Sequence, residues 1–196
     1  MKRTINFLAL LFLIPFTGYG QSSFRSTGTT ELGGDFGFSA QSSNNGDKSL
    51  STFSSDLFIG IMAAPGFEIG FRPGFTVRSS SGDTYKIYNL FLNPAYHFNT
   101  TTNVYPYLGL IVGYNSIGYN KDNYSGIGIG GEAGVKINLQ GASMLLLKFE
   151  YLSQTYNKVA QYSGYGQSSS DEKINTTLFA LGYRIFLEKK SIQKVK

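Results

Sequence analysis

The chain contains no cysteine, a single histidine and few charges for its 196 residues. The missing cysteine excludes disulfides, thiolate chemistry and lipid attachment at a processing site. With only one histidine as well, a conventional transition-metal site lacks its usual ligands, and no cofactor is expected. Charged residues make up 15%, against about 25% in ordinary soluble domains. Something other than water must therefore face much of the surface. Beyond residue 20 no apolar run is long enough to cross a bilayer as a helix. There is also no helical periodicity and no fixed-period repeat.

A formal charge of +5 would suggest a nucleic-acid binder until it is located. Lys2 and Arg3 supply two of those charges. Glu188 set against Lys189, Lys190, Lys194 and Lys196 supplies a net three. The body between is neutral, so no nucleic acid is expected as a partner. Lys2 and Arg3 precede an apolar run from Phe7 to Phe16, then Gly18-Tyr19-Gly20-Gln21. A charged start, a short apolar stretch and small residues before a cut read as a cleavable signal peptide over residues 1–20. Residues 21–187 then form one domain, and residues 188–196 a basic periplasmic tail.

What is present in abundance is alternation. Phe67, Ile69, Phe71, Phe75 and Val77 are apolar, whereas Glu68, Gly70, Arg72, Gly74 and Thr76 are charged, small or polar. A strand sends successive side chains to opposite faces, so this segment has one apolar face and one polar face. The pattern recurs in eight segments, near Thr30–Ala40, Phe53–Ala63, Phe67–Val77, Tyr85–Phe98, Val104–Tyr114, Ile127–Ile137, Leu145–Tyr151 and Phe179–Leu187. Phe58, Met62, Phe91, Ile111, Leu146 and Leu178 break it, being apolar on the nominally polar face.

Connections alternate as well. Ala64-Pro65-Gly66, Asn99–Asn103 and Leu139-Gln140-Gly141 are tight. Gln41–Thr52, Arg78–Thr84, Asn115–Ser125 and Ser153–Ile174 are mostly longer and rich in Ser, Asn, Gly and Tyr. Segments of about ten residues, joined by short and long links in turn, are the signature of a transmembrane barrel with short periplasmic turns. The predicted fold is all-β, a closed eight-stranded antiparallel up-and-down transmembrane β-barrel with both termini in the periplasm. Phe67, Ile69, Phe71, Leu145, Leu147, Phe149, Phe179 and Leu181 are expected to face lipid.

Stretches such as Tyr107-Leu108-Gly109 and Leu181-Gly182-Tyr183-Arg184-Ile185-Phe186, with the strand number and loop alternation, make the chain resemble the small eight-stranded outer-membrane barrels. That group includes the OmpA-type membrane domain and OmpX. Many such proteins end on a terminal aromatic, whereas Phe186 here is followed by Leu187 and the basic tail. The resemblance covers residues 25–187. It implies the bacterial outer membrane as the location, with outer-membrane lipids and the barrel assembly machinery as partners, and a monomer.

An eight-stranded barrel has a lumen that side chains fill. Glu31, Asp35, Asp56, Glu68, Glu132 and Glu150 fall on the polar face with Arg72, Arg78, Lys136, Lys148 and Arg184. Unpaired buried charges are costly, so a lumen ion-pair network is expected of Glu31, Asp35, Asp56, Glu68, Arg72, Glu132, Lys136, Lys148, Glu150 and Arg184. A catalytic carboxylate pair would need a nucleophile or a metal cluster beside it, and neither is in view. His97 is followed by Phe98-Asn99, not by the His-x-Ser of the lipid A deacylases, and reads as a polar lumen residue near the periplasmic end. Gly126-Ile127-Gly128-Ile129-Gly130-Gly131 matches a dinucleotide fingerprint in letters only. Strand alternation continues into Val135 and Ile137, where the fingerprint needs a helix. Tyr114, Tyr119, Tyr124, Tyr156, Tyr162 and Tyr165 lie in or beside loops rich in Ser and Gly, a composition suited to recognition.

Three functions compete. The leading one is a non-enzymatic structural barrel whose loops bind a surface partner. A small transporter of an apolar molecule draws slight support from the apolar interior exceptions. A lipid-modifying enzyme is disfavoured by the sparse catalytic inventory. A soluble lipocalin-like carrier would have its polar face outside and would carry many more charges there. One contact is specified by register. If Leu139-Gln140-Gly141 is a three-residue hairpin loop, Glu132 stands opposite Lys148, Val135 opposite Leu145 and Ala133 opposite Leu147. The alternative register would set Glu132 against Glu150, a like-charge pair.

Overall fold

Alternation carries straight through to architecture. The computed structural model describes residues 24–42, 49–80, 83–100, 103–119, 122–156 and 172–187. The leader and the basic tail lie outside the described residues. Eight strands follow in order: β1 (Thr30–Ser42), β2 (Ser49–Ala64), β3 (Phe67–Ser80), β4 (Asp83–His97), β5 (Val104–Tyr119), β6 (Asp122–Gln140), β7 (Ser143–Tyr156) and β8 (Glu172–Leu187). Each pairs antiparallel with the next, and β8 returns to β1 to close the barrel. The β1–β8 seam pairs Thr30 through Phe38 with Leu187 through Phe179, removing the free edge from that part of the wall, as facing hydrocarbon requires.

The predicted lipid-facing residues point outward. Phe67, Ile69, Phe71, Phe149, Phe179 and Leu181 are exposed, and Leu145 and Leu147 are half-exposed. They belong to a belt in which Leu57, Leu110 and Ile127 are each about two-thirds exposed. The apolar interior exceptions are all buried inside. Gly128 makes room for one of them, since a methyl group there would lie 2.9 Å from the Phe91 ring.

Three local devices hold the ladder together. Gly66 and Gly141 take φ of +77° and +64° in the two tightest turns, a conformation glycine adopts without steric cost. Pro94 has no N–H to give to β5, and the β4–β5 pairing skips Asn93 and Pro94. Asn93 Nδ2 instead donates to the carbonyl oxygen of Leu110 at 2.7 Å, filling the gap.

Two sequence expectations need correction. The β6–β7 hairpin does not close on a three-residue loop: Gln140 pairs with Ser143 around Gly141-Ala142, and a bulge lies between Asn138 and Gln140. Bulge plus turn shift the register by two residues. Glu132 therefore stands opposite Glu150, Gly134 opposite Lys148, Val135 opposite Leu147 and Ala133 opposite Phe149. The second correction concerns the long connections, which are shorter than expected. Strands continue through Ser49–Thr52, Arg78–Ser80, Asn115–Tyr119, Asp122–Ser125, Ser153–Tyr156 and Glu172–Ile174. With 13 to 19 residues each, the strands exceed the roughly 9–11 that span a bilayer. Most of the excess over the sequence-based limits lies at the loop end.

Candidate functional site: the filled lumen

The inner face is arranged in tiers. At the turn end, residues before β1 fold across the barrel mouth. Phe24 is buried with Met62, Met144 and Phe186, its ring edge-on to His97 and Tyr105 at 5.3 and 4.7 Å between centroids. Backbone bonds pin this stopper: Gly28 N–H to Met62 O (2.8 Å), Met62 N–H to Thr29 O (2.8 Å) and Gly66 N–H to Arg25 O (3.0 Å). Arg25 Nε also donates to the carbonyl oxygen of His97. Periodicity could not reveal it, because it is a single turn. Its one sequence signal is an isolated Phe among small and polar residues just ahead of β1.

Above the stopper all ten expected network residues are brought together, every one of them buried. His97 Nε2 lies 2.8 Å from Glu68, and Lys136 Nζ reaches Glu68 at 3.0 Å and Glu31 at 2.7 Å. Arg184 joins Glu31 (3.2 Å) to Asp35 (2.5 Å). Lys148 then contacts Asp35 at 2.8 Å, Glu132 at 3.1 Å and Glu150 at 3.4 Å. Arg72 completes the chain with Glu150 at 2.9 Å, Glu132 at 3.1 Å and Asp56 at 3.5 Å. Acids and bases alternate along a continuous path from the stopper to mid-barrel.

This explains how the like-charge pairings are tolerated. Glu132 faces Glu150, and Asp35 faces Asp56, on adjacent strands. Considering only two strands, such pairs repel. In a closed lumen the cation arrives from elsewhere on the wall: Arg72 on β3 bridges both glutamates from across the barrel. The Glu132–Lys148 ion pair is still made, diagonally rather than directly opposite. Aromatic rings floor the cations, with Phe58 4.4 Å from the Arg184 guanidinium and Phe91 5.5 Å from that of Arg72.

Next comes a ring of uncharged polar groups. Asn89 Nδ2 donates to Thr76 Oγ1 at 3.1 Å, and Gln154 Nε2 lies 3.4 Å from Asn89 Oδ1. The tier at the loop end is different again. Ile87, Ile117 and Tyr156 form a buried apolar cluster with Tyr124 and Ile174 against it. Of the tyrosines expected to serve recognition, Tyr156 therefore points into the barrel, Tyr124 is half-buried and Tyr114 faces outward on β5. Tyr162 and Tyr165 lie outside the described residues. Arg78 shares this tier and donates to Thr176 Oγ1 across the lumen.

His97 is fully buried, and its ring neighbours are Phe24 and Tyr107. Among the described residues no group of three or more His, Cys, Asp or Glu could hold a metal ion.

A closed antiparallel barrel with an apolar girdle outside and paired charges inside defines the class: this is a small integral β-barrel of the outer-membrane type. The fold compares well with neisserial surface protein A (NspA), with a TM-score of 0.63 and 19% identity over 81% of this chain and 98% of that one. It is also similar to the outer membrane protein OprG from Pseudomonas aeruginosa, with a TM-score of 0.55 and 14% identity over 84% and 98% of the two chains. AlkL, an outer membrane protein solved in DMPC lipid bilayers, matches at a TM-score of 0.50 and 11% identity over 92% and 100%. No family profile and no curated protein sequence matches the chain.

Proposed function

We propose that this outer-membrane barrel is non-enzymatic, closed to through-passage, and acts at its outward, loop-bearing end as a structural and surface-recognition protein. The observation that carries the reading is the filled lumen. A continuous ion-pair chain occupies its lower half, and Phe24 with its hydrogen-bonded turn covers the turn-end mouth. A path for ions or an apolar molecule would have to break several buried charge pairs at once, each worth several kcal/mol to leave unpaired. The apolar interior residues that suggested transport are packed against one another and against the network, as in the Phe91, Ile111 and Leu152 cluster. A lipid-acting enzyme would need its base near the outer wall, whereas His97 is enclosed. Export by the leader, insertion by the barrel assembly machinery, a monomeric state and an extracellular partner on the loops belong to the same reading.

The test is planar-bilayer recording and a lipid-hydrolysis assay on one refolded sample. The expected outcome is neither sustained conductance nor hydrolysis. A long-lived, large conductance from monomer would overturn the closed lumen, and released fatty acid would overturn the non-enzymatic assignment.

A further inference from the structure

Among the described residues, every cation on the inner face of the strands but one has a carboxylate partner. Arg72, Lys136, Lys148 and Arg184 each touch at least two. Arg78 is 6% exposed, yet among the described residues it meets no acid. Its guanidinium donates to the Thr176 hydroxyl, and its buried Nε has no hydrogen-bond partner among the described residues. A guanidinium carries five N–H donors in a planar fork that matches the oxygens of a carboxylate or phosphate. Burying one without a counter-charge is costly, so its retention asks for an anion, and none of the acids among the described residues supplies it.

The surroundings fit. Two positions along the inner face of β3 lies Thr76, which accepts from Asn89, and Asn89 stands directly opposite Asn115 on β5. Asn115 is fully buried, with neither amide atom hydrogen-bonded among the described residues. A small void borders Thr76, Asn89, Gln154 and Thr176, below Arg78 and not in contact with it. Asp56 and Glu150 lie on its floor, and both are already bound by Arg72. The stopper and the ion-pair chain fill the lumen on the turn side, so approach is from the loop end, past the Ile87, Ile117 and Tyr156 cluster.

We propose that Arg78, with Thr176 bound to it and Thr76 two residues along the same face, forms a receptor for a small oxyanion, a carboxylate or a phosphate, entering from the outer face. The site deepens the outward-facing reading above and rests on it. Failure of that reading would show as transmembrane current, whereas failure of the site would show as a missing anion response.

The experiment refolds the full barrel in maltoside micelles, which carry no phosphate, and follows the Arg78 Nε–Hε and Thr176 amide resonances. Sodium phosphate and sodium benzoate are titrated separately at constant ionic strength against chloride. A saturable shift with either probe is the expected result, and the stronger of the two identifies the anion class. Arg78→Gln should abolish it, Arg78→Lys should weaken it about tenfold through loss of the fork, and Thr176→Val should weaken it with the barrel intact. Non-saturating drift, an equal response in Arg78→Gln, or shifts confined to the exposed Lys86 and Lys173 would overturn the proposal. If Arg78→Gln does not fold, Thr176→Val decides: an anion response identical to wild type in that variant would sink the site.

Discussion

The two ends of this barrel obey opposite rules. Through most of its height the inside is charged and the outside is apolar, with Glu132, Lys148 and Arg72 within and Leu110, Ile129 and Phe149 without. At the loop end the order reverses. Ile87, Ile117 and Tyr156 are buried inside, while Ser51, Ser79, Lys86, Ser125, Lys173 and Asn175 face out. One continuous sheet carries both arrangements, so backbone pairing does not select them; the surrounding solvent does. Where lipid touches the wall, polar groups are driven inward and must pair there. Where water touches it, the ordinary apolar interior returns. The aromatic residues Phe38, Phe53, Tyr88, Tyr114 and Tyr151 face outward near the change, where interfacial side chains belong.

The comparison breaks most sharply at Arg72. Arg72→Met leaves Asp56, Glu132 and Glu150 short of their shared cation, and should cost about 3–5 kcal/mol. Urea titration of the refolded barrel in bilayers measures it, and a loss under 1 kcal/mol would mean the charged tier is less dependent on its central cation than its geometry implies. Reversing polarity on the outer wall separates the two ends. Leu147→Arg, in the belt, should cost about 2–4 kcal/mol. Ser153→Arg, three pairs of side chains higher on the same strand and face, should fall within about 0.5 kcal/mol. Equal losses would place both residues in one medium and remove the contrast. The smallest effect is the coupling between Glu132 and Lys148. Because each has other partners, a double-mutant cycle with Glu132→Gln and Lys148→Met should give about 1–2 kcal/mol, not the whole cost of either change. Additive losses would show that the 3.1 Å contact contributes nothing of its own.

The same reversal explains what could be read from the residues alone. Phe67–Val77 or Leu145–Tyr151 declare themselves because lipid imposes apolar-out alternation. Ser49–Thr52 and Ser153–Tyr156 continue as strand, but with Ser51, Ser153 and Thr155 outward they resemble loop. Ile87 and Ile117 were the available signal, apolar residues spaced from the belt by an odd number of positions. The ten network residues were legible by face, since strand parity suffices to send them inward. Their partners were not, because Arg72 and Glu132 lie 60 residues apart and meet only across a closed lumen. The hairpin register failed for a related reason. Charge on two paired strands does not decide it, because the deciding counter-charge sits on a third, and a bulge near Leu139 has no distinctive sequence.

The turn that holds Phe24 also has a consequence for the order of assembly. Its seat is made from Met62 on β2, Tyr105 on β5, Met144 on β7 and Phe186 on β8. Nothing local recruits the ring, since its partners are separated from it by between 38 and 162 positions along the chain. No complete seat exists until the last strand has been laid down and the seam between β8 and β1 has zipped. The entropy of closing so long a loop is thus met by strand pairing rather than by the phenylalanine itself. The first described residue of the polypeptide is therefore among the last to find its place, and its burial is a mark of a finished barrel.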